Sequence, residues 1–233
     1  MKKHHYLIVA SVTCALMAGC RKGGPSVSGP LGELPQIVKE YDGKLEDTRR
    51  KLEKATDTDK MQALFAKGSA VKEEMTAQIK SRKEKLIGKD IAGEISGDVP
   101  LKIVVPFRIK NVTDKGNIEV TAEVELTETG TYLSDNSAFC LSDIRVIAVG
   151  GNENETYVHG GGAFRTDGLP YADKYVRGTK GFVTMFLRIE PWNADMMGSL
   201  SKLVIANKKS DRYGKAKEYT KKAKEEYENM YNK

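Results

Sequence analysis

Apolar residues recur at alternating steps of four and three between residues 34 and 86. This spacing predicts amphipathic helices that bury a narrow, coiled-coil-type seam against each other. The pattern breaks at residues 56–59 (TDTD), where Asp or Thr can cap a new helix, and so short a break favours an antiparallel hairpin. We therefore predict a helical hairpin over residues 34–90. The seam positions are Leu34, Val38, Tyr41, Leu45, Thr48, Leu52 and Ala55, then Met61, Leu64, Gly68, Val71, Met75, Ile79 and Leu86.

From Val99 onward the apolar residues alternate with polar ones, as in half-buried strands. The clearest case is a hairpin: apolar positions from Leu101 to Ile109, a turn at residues 113–117, and strict alternation from Ile118 to Leu126. About seven short strands favour an antiparallel β-sandwich over residues 91–209, loosely immunoglobulin-like. A barrel, or a single sheet packed on helices, remains as an alternative. The further strands are predicted near residues 139–149, 155–159, 162–166, 181–190 and 201–207.

The last segment, residues 210–233, returns to three-four spacing and predicts a strongly charged C-terminal helix. This helix either lies along the hairpin as a third helix or stands free in solvent. The predicted fold class is therefore α+β, with a helical hairpin, an antiparallel β-sandwich and a C-terminal helix.

The N-terminus has the layout of a secretory signal peptide, since Lys2 and Lys3 precede an apolar run from Tyr6 to Met17. That run covers about a dozen residues, whereas a helix needs roughly 20 to cross a bilayer. The sequence LMAGC at residues 16–20 resembles the lipobox of bacterial lipoproteins. The resemblance implies a signal peptide over residues 1–19, diacylglycerol on the Cys20 sulfur, and a tether over residues 20–33.

The residues after Cys20 bear on the membrane to which such a lipoprotein is sent. Arg21 stands where Asp often signals retention in the inner membrane, and no acidic run for surface display follows. The resemblance therefore implies an outer-membrane lipoprotein that faces the periplasm. The alternative is a merely secreted protein cut near Ala18.

Without the signal peptide, the 38 basic residues fall to 36 against 32 acidic ones, a net charge of +4. The two signs are interspersed, which favours solubility or a mild preference for anionic surfaces and argues against nucleic acid as a partner. Cys14 leaves with the signal and Cys20 carries lipid, so Cys140 remains alone and no intramolecular disulfide can form. Its apolar neighbours predict a small buried core residue.

Catalytic motifs are largely missing from the sequence. His159 is the single histidine after the signal peptide, which excludes a histidine-rich metal site. The run HGGGA at residues 159–163 is similar to an esterase oxyanion loop, but no G-x-S-x-G elbow accompanies it. No phosphate-binding loop is present, and nothing local supports Cys140 with His159 as a nucleophile and base. We predict a protein that is not an enzyme, with no cofactor and no metal.

Aromatic residues in polar loops often anchor ligands or partners, and Tyr171, Tyr175 and Trp192 are of this kind. Packing at the edge of the core is the alternative. We expect a lipid-anchored cell-envelope protein with a non-catalytic interaction or scaffolding role, which contacts an envelope protein through its helical arm. The second hypothesis is a binding module for an envelope glycan or small ligand, which would use these aromatic loops.

Overall fold

The computed structural model describes residues 29–97, 99–131, 140–152, 156–158, 163–165 and 174–231. Four helices and ten strands lie in these ranges, which confirms the α+β class. The helices are α1 (Leu34–Glu53), α2 (Thr58–Lys83), α3 (Ala194–Gly198) and α4 (Asp211–Tyr231). The strands are β1 (Asp90–Ile95), β2 (Leu101–Val112), β3 (Ile118–Leu126), β4 (Gly130–Thr131), β5 (Ile144–Val149), β6 (Thr156–Val158), β7 (Ala163–Arg165), β8 (Lys174–Tyr175), β9 (Lys180–Leu187) and β10 (Lys202–Asn207).

Helices α1 and α2 form an antiparallel hairpin around a turn at residues 54–57. Asp57 caps α2, because its carboxylate accepts a hydrogen bond from the backbone N–H of Lys60 at 2.8 Å. Glu33, at the start of α1, meets Arg82, near the end of α2, with 2.8 Å between Oε2 and Nε. Both predicted helices and the break between them are confirmed.

Eight strands form one mixed sheet in the order β6-β5-β10-β1-β2-β3-β9-β7, and β4 pairs with β8 separately. Strand β1 pairs antiparallel with β2 at Asp90 and Ile91, then parallel with β10 from Ala92 to Ile95. The six long strands curl into a half-barrel. The two-sheet, immunoglobulin-like sandwich is therefore not confirmed. A single curled sheet packed on helices, one of the alternatives, stands in its place.

The hairpin of β2 and β3 is confirmed as predicted. All five apolar residues of β3 from Ile118 to Leu126 are buried, and the polar residues between them are half-buried. Gly116 in the connecting turn has φ +79°, and a Cβ on it would lie 3.0 Å from the Val38 side chain. The turn therefore needs glycine both for its backbone conformation and for the close approach of α1.

One hydrophobic core joins the helical hairpin to the sheet. It includes Leu34 and Val38 of α1, Ile79 of α2, and Phe107 and Val120 of the sheet, all at most 1% exposed. The fold begins ahead of α1, since Leu31 is fully buried in the same core.

The opposite face of β5 and β10 packs against α4 through Ile147, Val204 and Ala216, which are 0% or 1% exposed. These two strands are therefore covered on both faces, which explains why their sequences are almost continuously apolar. The predicted C-terminal helix is confirmed, and it is docked on the sheet rather than free.

Candidate partner-binding groove

The three aromatic residues predicted to form a contact surface differ in their location and burial. Tyr171 lies outside the described residues, as does the predicted lipidation site Cys20. Tyr175 is 5% exposed and belongs to the core. Trp192 is half-buried in a short 3-10 turn, Pro191–Asn193, just before α3. The structure therefore directs attention to Trp192 and its neighbours.

The Trp192 ring is fixed by its own turn and by α4. Its Nε1–H donates to the Glu190 carboxylate at 2.7 Å, and the Lys224 Nζ lies 4.9 Å from the ring centroid. The buried side chain of Asn193 ties the turn together, because its Oδ1 accepts from the backbone N–H of Glu190 and its amide donates to the carbonyl of Arg188. The indole is thus held in one orientation without any ligand.

Trp192 and Pro191 form the floor of a groove between α1 and the C-terminal half of α4, which we call the α1–α4 groove. Two adjoining cavities of about 420 and 490 Å³ make up this groove, and both are lined by Pro191 and Tyr227. The walls are Lys39, Asp42, Leu45, Glu46 and Arg49 of α1, and Tyr219, Lys222, Ala223, Glu226, Tyr227, Glu228 and Met230 of α4, with Asp195 of α3 at one end.

The helical repeat explains why these residues share the groove. Positions 39, 42, 46 and 49 of α1 recur at steps of three and four, and so do positions 219, 223, 226 and 230 of α4. Residues at such steps lie on one side of a helix. The apolar part of the groove extends outward to Met230, whose side chain is 69% exposed.

The acidic groups of the groove differ in their surroundings. Asp195 forms an ion pair with Lys39, with 2.6 Å between Oδ2 and Nζ, and this contact holds the pKa of Asp195 below its usual value. Burial raises the pKa of Asp42, and the nearby negative charge of Glu190 raises it further. The contacts described for this part of the chain give no ion pair to Asp42, Glu226 or Glu228. The groove therefore carries negative charge that an added cation could neutralise.

The remaining polar groups in the core serve to hold the fold. Cys140 is buried, as predicted, with its Sγ 2.7 Å from the Ser142 Oγ, and His159 lies outside the described residues. Asp143 is fully buried, and Lys208 and Lys209 reach its carboxylate at 2.5 and 3.1 Å. Burial by itself would raise the pKa of Asp143, but the two ammonium groups outweigh it and lower that pKa. These ion pairs hold the residue before β5 against the two residues that follow β10.

No known protein family, curated protein or solved structure matches this chain. Within the described ranges, no group of three or more His, Cys, Asp or Glu side chains is placed to hold a metal ion. No helix in the same ranges is both long and apolar enough to cross a membrane. The α1–α4 groove is the feature on which a functional interpretation has to rest.

Proposed function

We propose that this chain is a lipid-anchored, non-catalytic interaction protein of the bacterial cell envelope, which binds a basic segment of a protein partner in its α1–α4 groove. The observation that carries the proposal is the composition of the groove. It has an aromatic and apolar floor between two helices, with rims on which three of the five acidic groups form no ion pair with the described part of the chain.

The apolar floor supports a protein segment as the occupant. Tyr227 lines both cavities of the groove and Trp192 lines one of them, and rigid aromatic residues of this kind dominate the binding energy of many protein interfaces. Grooves of this kind commonly bind an amphipathic helix, whose apolar residues, spaced at steps of three and four, pack into the groove.

The rims support a basic segment in particular. Asp42 lies on the α1 side of the groove, and Glu226 and Glu228 lie on the α4 side. Lys39, Arg49 and Lys222 are already paired with Asp195, Glu46 and Glu218, at 2.6, 2.8 and 3.0 Å, so they oppose these acids only weakly. Lysine or arginine residues flanking the apolar face of the partner would complement the three acids and set its register.

A glycan or small ligand is the second candidate, since cavities of about 420 and 490 Å³ fall in the usual range for small-molecule sites. Sugar binding, however, uses the open face of an aromatic ring. Lys224 already sits over the Trp192 ring, and Glu190 already accepts its N–H. The groove geometry therefore favours the protein segment.

The test is photo-crosslinking in intact cells, with a photoreactive residue in place of the exposed Met230 and, as a control, in place of the exposed Phe65 on α2. We expect a stoichiometric protein adduct from position 230 only. The substitutions Glu226→Lys and Glu228→Lys together should abolish that adduct. Glu73→Lys with Glu128→Lys makes the same change in charge at two exposed positions outside the groove, and should leave the adduct intact.

Recovery of the tagged protein alone, or with glycan only, would refute the protein partner and favour the second candidate. The anchor is tested separately by Cys20→Ala. We expect this variant to carry no lipid, measured by mass spectrometry of the intact protein. A lipid adduct that persists in the variant would show that Cys20 is not the anchor.

A further inference from the structure

The segment from Lys80 to Lys89 is strongly basic. Its ten residues comprise five basic side chains and one acidic side chain, Glu84, a net charge of +4. This equals the net charge of the whole chain after residue 19, so the rest of that chain is neutral on balance. The segment spans the end of α2 and the turn into β1.

This basic segment lies where the chain enters the folded part. Leu31 and Gly32, which precede α1, share a cleft of about 450 Å³ with Arg82, Lys85 and Lys89. The ion pair between Arg82 and Glu33 joins the same two segments. Gly29 lies against Gly198 at the end of α3 and accepts a hydrogen bond from the N–H of Gly32 at 3.1 Å, so a chain toward Cys20 departs one turn away from this cleft.

The turn at the centre of the segment is held rigidly. The backbone N–H of Gly88 donates to the carbonyl of Ile109 at 2.8 Å, and the N–H of Ile109 donates to the carbonyl of Lys89 at 2.9 Å. Leu86 points into the core at 4% exposure, whereas the neighbouring Ile87 is 46% exposed. An apolar side chain is thus presented to the outside by a fixed backbone, between two lysines.

The charges of the segment divide into two groups. Arg82 and Lys83 are engaged by Glu33 and Asp114, at 2.8 and 3.4 Å. Lys80, Lys85 and Lys89 are exposed, and the ion pairs described for the structure do not include them. Lys85 and Lys89 flank the exposed Ile87 in the chain, and Lys80 lies in the last turn of α2, so three exposed ammonium groups are available to an external partner.

We propose that Lys80, Lys85, Ile87 and Lys89, which we call the base surface, rest against the anionic phospholipid headgroups of a bilayer. The inference rests on the proposed anchor at Cys20. Gly29 is nine residues after Cys20, and nine extended residues span at most about 30 Å, so the anchor keeps the base surface close to the membrane. Basic side chains around an apolar one are the composition that binds the interface of an anionic membrane.

This contact would orient the whole molecule. α1 starts and α2 ends at the base surface, so both helices extend away from it to their turn at residues 54–57. At 1.5 Å per residue, the 20 residues of α1 place that turn about 30 Å from the base. The α1–α4 groove lies along α1 between these levels, where a protein partner can reach it.

The test uses the full-length lipidated protein, purified and reconstituted into vesicles, with an environment-sensitive fluorophore on Ile87→Cys or, as a matched control, on Phe65→Cys. The remaining thiol, Cys140, is buried. In vesicles with about one-third phosphatidylglycerol, we expect the probe at position 87 to shift to shorter wavelength and to be quenched by bromine-labelled lipid. The probe at position 65 should show neither effect, and phosphatidylcholine alone should give much weaker effects at position 87.

Lys85→Glu with Lys89→Glu should lower the fraction of bound probe by about tenfold or more, because each basic residue near an anionic surface adds to the attraction. Lys60→Glu with Lys67→Glu makes the same charge change on the distal part of α2 and should have no effect. Equal emission from positions 87 and 65 in every vesicle would overturn the proposal. If mass spectrometry finds no lipid, the two variants are labelled again with Cys14→Ser and Cys20→Ser added, and binding of these proteins to vesicles from solution reports the contact, so a missing anchor and a missing contact are separate results.

Discussion

The proximal and distal halves of the helical hairpin carry the same heptad spacing but have different surroundings. In the proximal half, Leu34, Val38 and Ile79 are at most 1% exposed and belong to the core. In the distal half, Leu64 is only half-buried and Phe65 is 62% exposed. The periodic pattern therefore indicates that a helix has an apolar side, but not how much protein will cover that side. The proximal half stabilises the fold, whereas the distal half of α2 leaves apolar side chains such as Phe65 largely uncovered.

The largest expected effect is that of Ile79→Ala, which removes a fully buried side chain between the hairpin and the β2–β3 turn. We expect the free energy of unfolding to fall by about 2–5 kcal/mol, because the rigid surroundings leave a cavity. Urea denaturation followed by circular dichroism measures the change. Leu64→Ala in the distal half should cost about 1 kcal/mol or less. Equal losses in the two variants would show that both halves pack alike.

Gly116→Ala should have the next largest effect, about 1–3 kcal/mol, because a non-glycine residue is strained at φ +79° and its Cβ would crowd Val38. Gly178→Ala is the matched control, since Gly178 has φ +86° but no atom within 4 Å of an added Cβ. The difference between the two losses, from the same denaturation experiment, measures how closely the proximal half packs on the turn. If the two losses agree, the close packing contributes nothing.

Asp42→Asn tests the wall of the groove. Because the pKa of Asp42 is raised, the folded state keeps its proton at a higher pH than the unfolded chain does, so ionisation of Asp42 lowers stability above that pKa. We expect the variant to be slightly more stable than the parent at neutral pH, and the gain to vanish as the pH falls below the unfolded pKa of about 3.9. Denaturation midpoints at a series of pH values measure this.

Asp195→Asn is the control of opposite sign for this experiment. The pKa of Asp195 is lowered by Lys39, so its ionised form contributes stability that is present above the unfolded pKa and is lost as the pH falls through the folded pKa. The variant should be slightly less stable than the parent at neutral pH. A shift in the same direction for both variants would contradict the assigned surroundings of the two carboxylates.

The smallest effect is expected for Phe65→Ala, because its side chain is mostly exposed on the distal half of α2. We expect the free energy of unfolding to change by no more than about 0.5 kcal/mol. Capture of a partner from position 230 should also be unchanged, since Phe65 does not line the groove. A loss of more than about 1 kcal/mol would mean that the distal half is packed more tightly than its exposure indicates.

Local patterns predicted the three long helices and the longer strands well, because each of these elements repeats its own period, whereas the five-residue α3 was not predicted. Strand β1 was missed. It is short, its sequence DIAGEI has no clear alternation, and its place is set by parallel pairing with β10 more than 100 residues later. No local signal encodes such a pairing, and the curl of the sheet depends on it. A single half-barrel was therefore not distinguished from a sandwich.

The candidate site was predicted only in part. Trp192 stood out as the lone tryptophan in a polar turn, and it does line the groove. Tyr175 looked similar in sequence but is buried, since the packing around β8 is decided by distant residues. The groove itself combines a stripe of α1, a turn near residue 191 and a stripe of α4. The three-four spacing of Tyr219, Ala223, Glu226 and Met230 in α4 was the one signal that could have indicated it.

The place of β10 in the sheet has a consequence for how the chain acquires its structure. Strand β10 lies between β5 and β1, so both neighbours keep an unpaired edge until residues 202–207 arrive. Strands so distant in sequence pair slowly, because closing the long loop between them costs conformational entropy before any stabilising contact forms. A chain with this topology stays incompletely folded until its last strand is delivered. For the exported protein that we propose, this delay would keep the chain competent for threading through a translocation channel until the C-terminal segment is released.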